Sequence, residues 1–245
     1  MILILLLLIM PLSTLFPVEC SNDTPYEGRR VISFAGHEWI VSYSGERAKT
    51  PGPNYFSNSE DNVWVDSRGR LHLRITSVNG RWECAEVILI GAVSHGKYTF
   101  RISSDINGYD KNIVAGLFLY RDDQNEADIE FSRWGDGGTT AGQFTVQPSD
   151  REGNLLRFDA GRAGKRSTHI INWQRESIHF TSFRGHSPSS GERLIISEWE
   201  YSGKDIPTET RVKVMINLWL FRGVTPSDRK EAELIIEDFS LTPGR

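Results

Sequence analysis

The chain has 245 residues, of which 38% are hydrophobic and 24% charged, and its formal net charge of −4 comes from interspersed acids and bases. That length suits one larger all-β domain or two small ones, with enough apolar residues for a sizeable core. The absence of a basic stripe with interleaved aromatics argues against a nucleic-acid partner.

Ile2 to Met10 is a continuous apolar run, followed by Pro11, small residues and Cys20 before the polar Ser21 to Asp23. Its length matches a secretory h-region and falls short of a membrane span. Residues 1–20 are therefore expected to be a signal peptide and residues 21–245 a single domain, secreted to an extracellular or periplasmic space as a monomer. The n-region lacks Lys and Arg, so a buried N-terminal strand is the alternative. Pro17, Val18 and Glu19 are a poor match to the small residues that precede a lipidated cysteine, which disfavours anchoring at Cys20. Loss of Cys20 with the leader would leave Cys84 alone, expected to pack as a small buried hydrophobe. Asn22 to Thr24 forms a glycosylation sequon, meaningful only in a eukaryotic host.

Short runs rich in Val, Ile, Phe, Tyr and Trp follow, separated by Gly, Asp, Asn or Ser. They cover Val63 to Asp66, Leu71 to Thr76, Trp82 to Ile90, Lys97 to Ser103, Ile113 to Tyr120 and Ala127 to Trp134. They continue through Gln143 to Gln147, His169 to Trp173, Ser177 to Phe183, Arg193 to Trp199, Val212 to Leu220 and Glu233 to Leu241. A dozen strands with no long helix, no repeat and no linker predict one antiparallel sandwich or barrel. Asn79–Gly80 and Ser67 to Gly69 read as turns, and Gly135 to Ala141 and Ser149 to Lys165 as long loops suited to the rim of a cleft.

Within these runs Glu126, Ala127, Asp128, Ile129, Glu130 and Phe131 alternate acid and apolar residues at the period of a strand. Successive side chains of a strand face opposite ways, so Glu126, Asp128 and Glu130 share one face. An antiparallel sheet commonly has one wet face that needs no function. Like charges along one face are destabilising, however, so a purely structural strand has little reason to collect three. Crowded carboxyls raise one another's pKa, and a protonated acid beside an ionised one is what glycoside hydrolysis requires. Neighbouring runs repeat the split: Phe118 and Tyr120 oppose Leu117 and Leu119, Gln143, Thr145 and Gln147 oppose Phe144 and Val146, and Asn217 and Trp219 oppose Ile216 and Leu218. Trp134 keeps the parity of Glu130 if its strand stays regular. Aromatic platforms with amides and carboxyls fit a sugar chain, making Phe118, Trp134, Gln143, Gln147, Asn217 and Trp219 candidate substrate-binding residues. Residues i and i+4 lie ~13 Å apart along a strand, whereas retaining glycosidases hold their carboxyls about 5–5.5 Å apart, so Glu126 and Glu130 must lean together over a curved strand.

EADIEF at 126–131 resembles the acidic strand of glycoside hydrolase family 16 in its form without a bulge. VWVDSRGRLHLR at 63–74, HGKYTF at 95–100, AGLFLY at 115–120, INW at 171–173 and INLWL at 216–220 are similar to that family's successive strands, over roughly residues 55 to 241. The resemblance implies a concanavalin-like jelly roll of two antiparallel sheets with a concave glycan-binding face. It implies a retaining, endo-acting hydrolase of a β-linked glucan or galactan, with Glu126 as nucleophile, Glu130 as general acid then base, and Asp128 tuning both. A transglycosylase or a binding protein without turnover would use the same fold. It requires no cofactor for chemistry, and it implies a structural calcium for which Asp238 is the matching candidate. Departures are Ala127 in place of Ile or Leu, Ser167 and His169 before Trp173 where a His and an aromatic are usual, and SRWGD after the motif.

Overall fold

The computed structural model describes residues 28–186, 194–207 and 211–244. The leader, Cys20 and the sequon lie outside the described residues.

Among the described residues sixteen strands form two layers joined by one hairpin. The first layer runs β11 (Leu155–Phe158), β10 (Gly142–Val146), β9 (Asn125–Phe131), β8 (Ile113–Asp122), β15 (Lys213–Leu220) and β6 (Arg81–Leu89), then β2 (His37–Val41) and β1 (Val31–Phe34). The second runs β14 (Ile195–Tyr201), β13 (Ile178–Arg184), β12 (Ser167–Trp173), β7 (Gly96–Ile102), β16 (Ala232–Pro243) and β5 (Leu71–Val78), then β4 (Val63–Val65). The short β3 (Tyr55–Phe56) lies parallel to β6. The hairpin from β5 to β6 turns at Asn79 and Gly80, both at positive φ, the backbone a tight two-residue hairpin demands.

The alternation read from the sequence decides which side of each strand is buried. Ala127, Ile129 and Phe131 of β9 are fully buried, as are Phe144 of β10 and Leu117 of β8. Aromatic contacts close the sandwich across the layers: Phe144 stacks on Phe180 at 5.2 Å between centroids, Trp39 meets Phe239 edge-on at 5.2 Å, and Phe131 meets His169 at 4.7 Å. Each such ring contributes roughly 1.5–3 kcal/mol through burial alone. His169 is wholly inside, its two ring nitrogens 2.8 Å from the hydroxyls of Ser167 and Ser182. Burial pushes its pKa down to about 3, so it supports β9 from beneath as a neutral ring.

Three features differ from the sequence reading. Strands precede Val63, where the runs read from the sequence begin, because β1 and β2 form a hairpin over Ala35 and Gly36, at φ 52° and 76°. The segment Ser149 to Lys165 is not all loop, since β11 within it pairs with β10 as an edge strand. β9 ends at Phe131, and Trp134 sits beyond it at φ 52° in a turn, so strand parity does not place its ring.

Candidate active site

Strand register builds the site. Antiparallel partners directly opposite one another point to the same face. One row crosses the outer face of the first layer through Gln143, Glu130, Gly116, Asn217 and Glu86 on five adjacent strands. The next holds Thr145, Asp128, Phe118 and Met215, and the third pairs Glu126 with Tyr120. Gly116 is required by this crossing: a Cβ there would stand 2.5 Å from Asn217 Oδ1.

These rows floor a cleft of ≈ 490 Å³. All nine catalytic and substrate-binding candidates line it: Glu126, Asp128, Glu130, Phe118, Trp134, Gln143, Gln147, Asn217 and Trp219. Trp134 reaches it through its turn, with its ring edge-on to Trp219 at 6.4 Å and to Phe221 at 5.4 Å. Phe118 and Trp219 are mostly buried and present only an edge to the cleft. The two glutamines are committed to the acids: Gln143 Nε2 donates to Glu130 Oε2 at 2.8 Å, and Gln147 Nε2 to Asp128 Oδ2 at 3.3 Å. Their amides orient carboxyls before they can meet a sugar.

Burial raises the pKa of all three acids. Glu126 is pushed up to about 8, by burial first and further by the charge of Glu130. Glu130 is pushed up to about 7 by burial, against the stabilising amide of Gln143. Asp128, with 2% of its surface exposed, is raised well above the ordinary carboxyl range by burial and by both neighbours' charges. The proximity of Asp128 and Glu126 raises the pKa of the former and offsets part of the rise of the latter. The protons belong to the cluster as a unit, and at neutral pH it retains some of them.

Sequence reasoning missed Glu86. This carboxyl, 7% exposed, accepts hydrogen bonds from Ser42 Oγ at 2.6 Å and Asn217 Nδ2 at 3.3 Å, and burial raises its pKa. The available signal was its place among core residues: Cys84, Ala85, Val87 and Leu89 are all buried around it. Cys84 is a buried small residue as expected, its thiol pushed up to about 12 by burial.

Asp238 lies on the second layer, away from the cleft, and its carboxylate is paired with Arg101. Among the described residues no group of three or more His, Cys, Asp or Glu side chains could hold a metal ion. A guanidinium already neutralises this carboxylate, so the residues here do not fit the implied calcium.

The architecture is a jelly-roll sandwich shared with solved β-glucanases. The chain is similar in structure to the β-glucanase of Bacillus licheniformis, with a TM-score of 0.63 and 20% identity over 84% of this chain and 92% of that one. It is similar to a β-1,3-1,4-glucanase (lichenase) derived from a mouse hindgut metagenome, with a TM-score of 0.58 and 21% identity over 84% and 92%. It also resembles an immunostimulatory antigen of Mycobacterium tuberculosis described as a pseudo β-1,3-glucanase, with a TM-score of 0.61 and 18% identity over 84% and 91%. At such identities the likeness is one of fold. No family model matches the sequence, and no curated protein matches it. No helix among the described residues is long and apolar enough to cross a membrane.

Proposed function

We propose that the protein is a secreted, retaining endo-glycoside hydrolase acting on a neutral β-glucan. The observation that carries this reading is the convergence of Glu126, Asp128 and Glu130 on the floor of an aromatic-lined cleft, where desolvation raises the pKa of all three. In the reactive protonation state of the coupled triad Glu126 is the ionised member and attacks the anomeric carbon, while Asp128 and Glu130 hold protons and Glu130 donates to the leaving oxygen. Glu130, now ionised and held by Gln143, then takes a proton from the water that releases the sugar.

The cleft wall favours a glucan over a sulfated galactan. Five carboxyls line it, Glu86, Asp123, Glu126, Asp128 and Glu130, and no Lys, Arg or His is among the lining residues. An anionic sugar entering there would meet like charges without a counter-ion, which costs several kcal/mol in a desolvated site. Half-buried Trp134 supplies an apolar ring for a pyranose face, with the edge of Trp219 beside it.

A binding protein without turnover is the second reading, prompted by the described pseudo-glucanase on the same fold. Here every member of the acid triad is kept, with Asp128 buried and Glu126 and Glu130 half-buried at the cleft, which favours turnover. The test is reducing-end release by the chain from Ser21 on mixed-linkage and β-1,3-glucans, xyloglucan, agar and carrageenan, with Glu126→Gln alongside. Release from neutral glucans by wild type only is the expected result. Binding with no release by either protein would favour the second reading.

A further inference from the structure

β1 and β4 are the outermost strands of the two layers on one side of the sandwich. Between them lies an open groove of ≈ 670 Å³ that shares no residue with the cleft. Its base is Trp64, and what distinguishes it is how that ring is held.

Trp64 and His72 are register partners on β4 and β5, so both project from the outer face of their layer. Their rings stack at 4.5 Å between centroids with 14° between planes. His72 is in turn clamped from both sides: Nδ1 lies 3.0 Å from Glu233 Oε1 and Nε2 lies 3.2 Å from Asp66 Oδ2. Asp66 is fixed by Arg70 Nε at 2.8 Å and by the backbone N–H groups of Arg68 and Arg70, each at 2.9 Å. One indole face is therefore locked against a rigid, charged support, while the ring stays only half-buried and lines the groove.

The rim is equally ordered. The guanidinium of Arg30 donates to the carbonyls of Asn58, Ser59 and Val63, holding the turn that carries the exposed Glu60 and Asp61. Across the groove Arg74 is steadied by Glu231 at 2.5 Å. A preset aromatic plane bordered by planar carboxylates and a guanidinium suits a pyranose: its C–H face lies on the ring and its vicinal hydroxyls bridge the planar groups. A protein partner would call for a larger apolar surface than this charged-walled groove offers.

We infer that the groove between β1 and β4 is a second glycan-binding site, holding one or two neutral pyranose units on Trp64 without turnover. For the identity of the polymer it rests on the reading of the cleft. It would tether the protein to the polysaccharide on which the cleft works.

The experiment is retardation in native gels containing barley mixed-linkage glucan or a soluble β-1,3-glucan, run in the Glu126→Gln background so that the polymer stays intact. Trp64→Ala is expected to weaken retardation about fivefold to tenfold, the scale of one lost aromatic stacking partner. Glu60→Ala with Asp61→Ala, both exposed and harmless to folding, is expected to weaken it in the same direction. In the active background Trp64→Ala should leave kcat/KM on a short soluble oligosaccharide unchanged. Retardation independent of Trp64 and of the rim pair, or no retardation of the parent by either polymer, overturns the site. Trp64-dependent retardation without any turnover by wild type would overturn the cleft reading alone, and turnover with Trp64-independent retardation the groove alone.

Discussion

Asp128 holds the least exposed carboxyl of the triad, and its raised pKa follows first from burial and then from two acidic neighbours. If it acts as a neutral donor to Glu126, an amide can replace it. Asp128→Asn is expected to keep kcat within about tenfold of wild type, whereas Asp128→Leu should lose ~10²–10⁴-fold, the range of a lost proton-handling group. Equal losses in steady-state kinetics would show that Asp128 acts through its charge. Gly116→Ala tests the geometry of the row instead. Its Cβ would displace Asn217, which donates to Glu86, and the strain should cost about 1–3 kcal/mol in denaturant unfolding as well as activity.

At the scale of the element, β9 couples stability to function, because its inward face anchors the core and its outward face stores protons. A carboxyl whose folded pKa is raised stabilises the fold fully below its unfolded value, and that contribution is lost as pH rises through the folded value. The loss runs from about pH 4.5 up through about 7 for Glu130 and about 8 for Glu126. Glu126→Gln should therefore be more stable than wild type at pH 8 by roughly 1–3 kcal/mol and indistinguishable at pH 4, as followed by urea unfolding. Activity is expected to fall across pH 7 to 8 as the last protons leave the triad.

Much of this element was legible beforehand, since period-2 alternation fixes which side of β9 faces water, whatever the rest of the chain does. The same rule carried Phe118, Gln143, Asn217 and Trp219 to the correct face. It did not reach Trp134, whose positive φ breaks the parity, nor Glu86, whose partners Ser42 and Asn217 lie 44 and 131 residues away. The β1–β2 hairpin escaped notice because Ala35–Gly36 lacks the Asn–Gly or Asp–Gly signature of such turns. Asp238 shows the reverse, a residue assigned by resemblance whose cross-strand partner, Arg101, meets its charge.

For the whole molecule, a second buried group sets the acid side of stability. His169 has a folded pKa lowered to about 3, so its contribution is present above the unfolded value near 6.5 and is lost as pH falls toward 3. Together with the triad, whose two glutamates lose stability from about pH 4.5 upward and outweigh the single histidine there, this predicts a stability maximum near pH ~4.5. His169→Leu should flatten the acid limb in thermal unfolding while leaving the alkaline limb in place. A His169→Leu profile with an unchanged acid limb would place the acid sensitivity elsewhere.

The central claim is that the triad performs double displacement on a neutral β-glucan. It is tested most directly by following the anomeric proton of the first product by NMR during hydrolysis of mixed-linkage glucan, with Glu126→Gln as control. The account predicts β-anomer released first, mutarotating later to the equilibrium mixture, and no product from the variant. Initial release of the α-anomer, or undiminished release by Glu126→Gln, would contradict it.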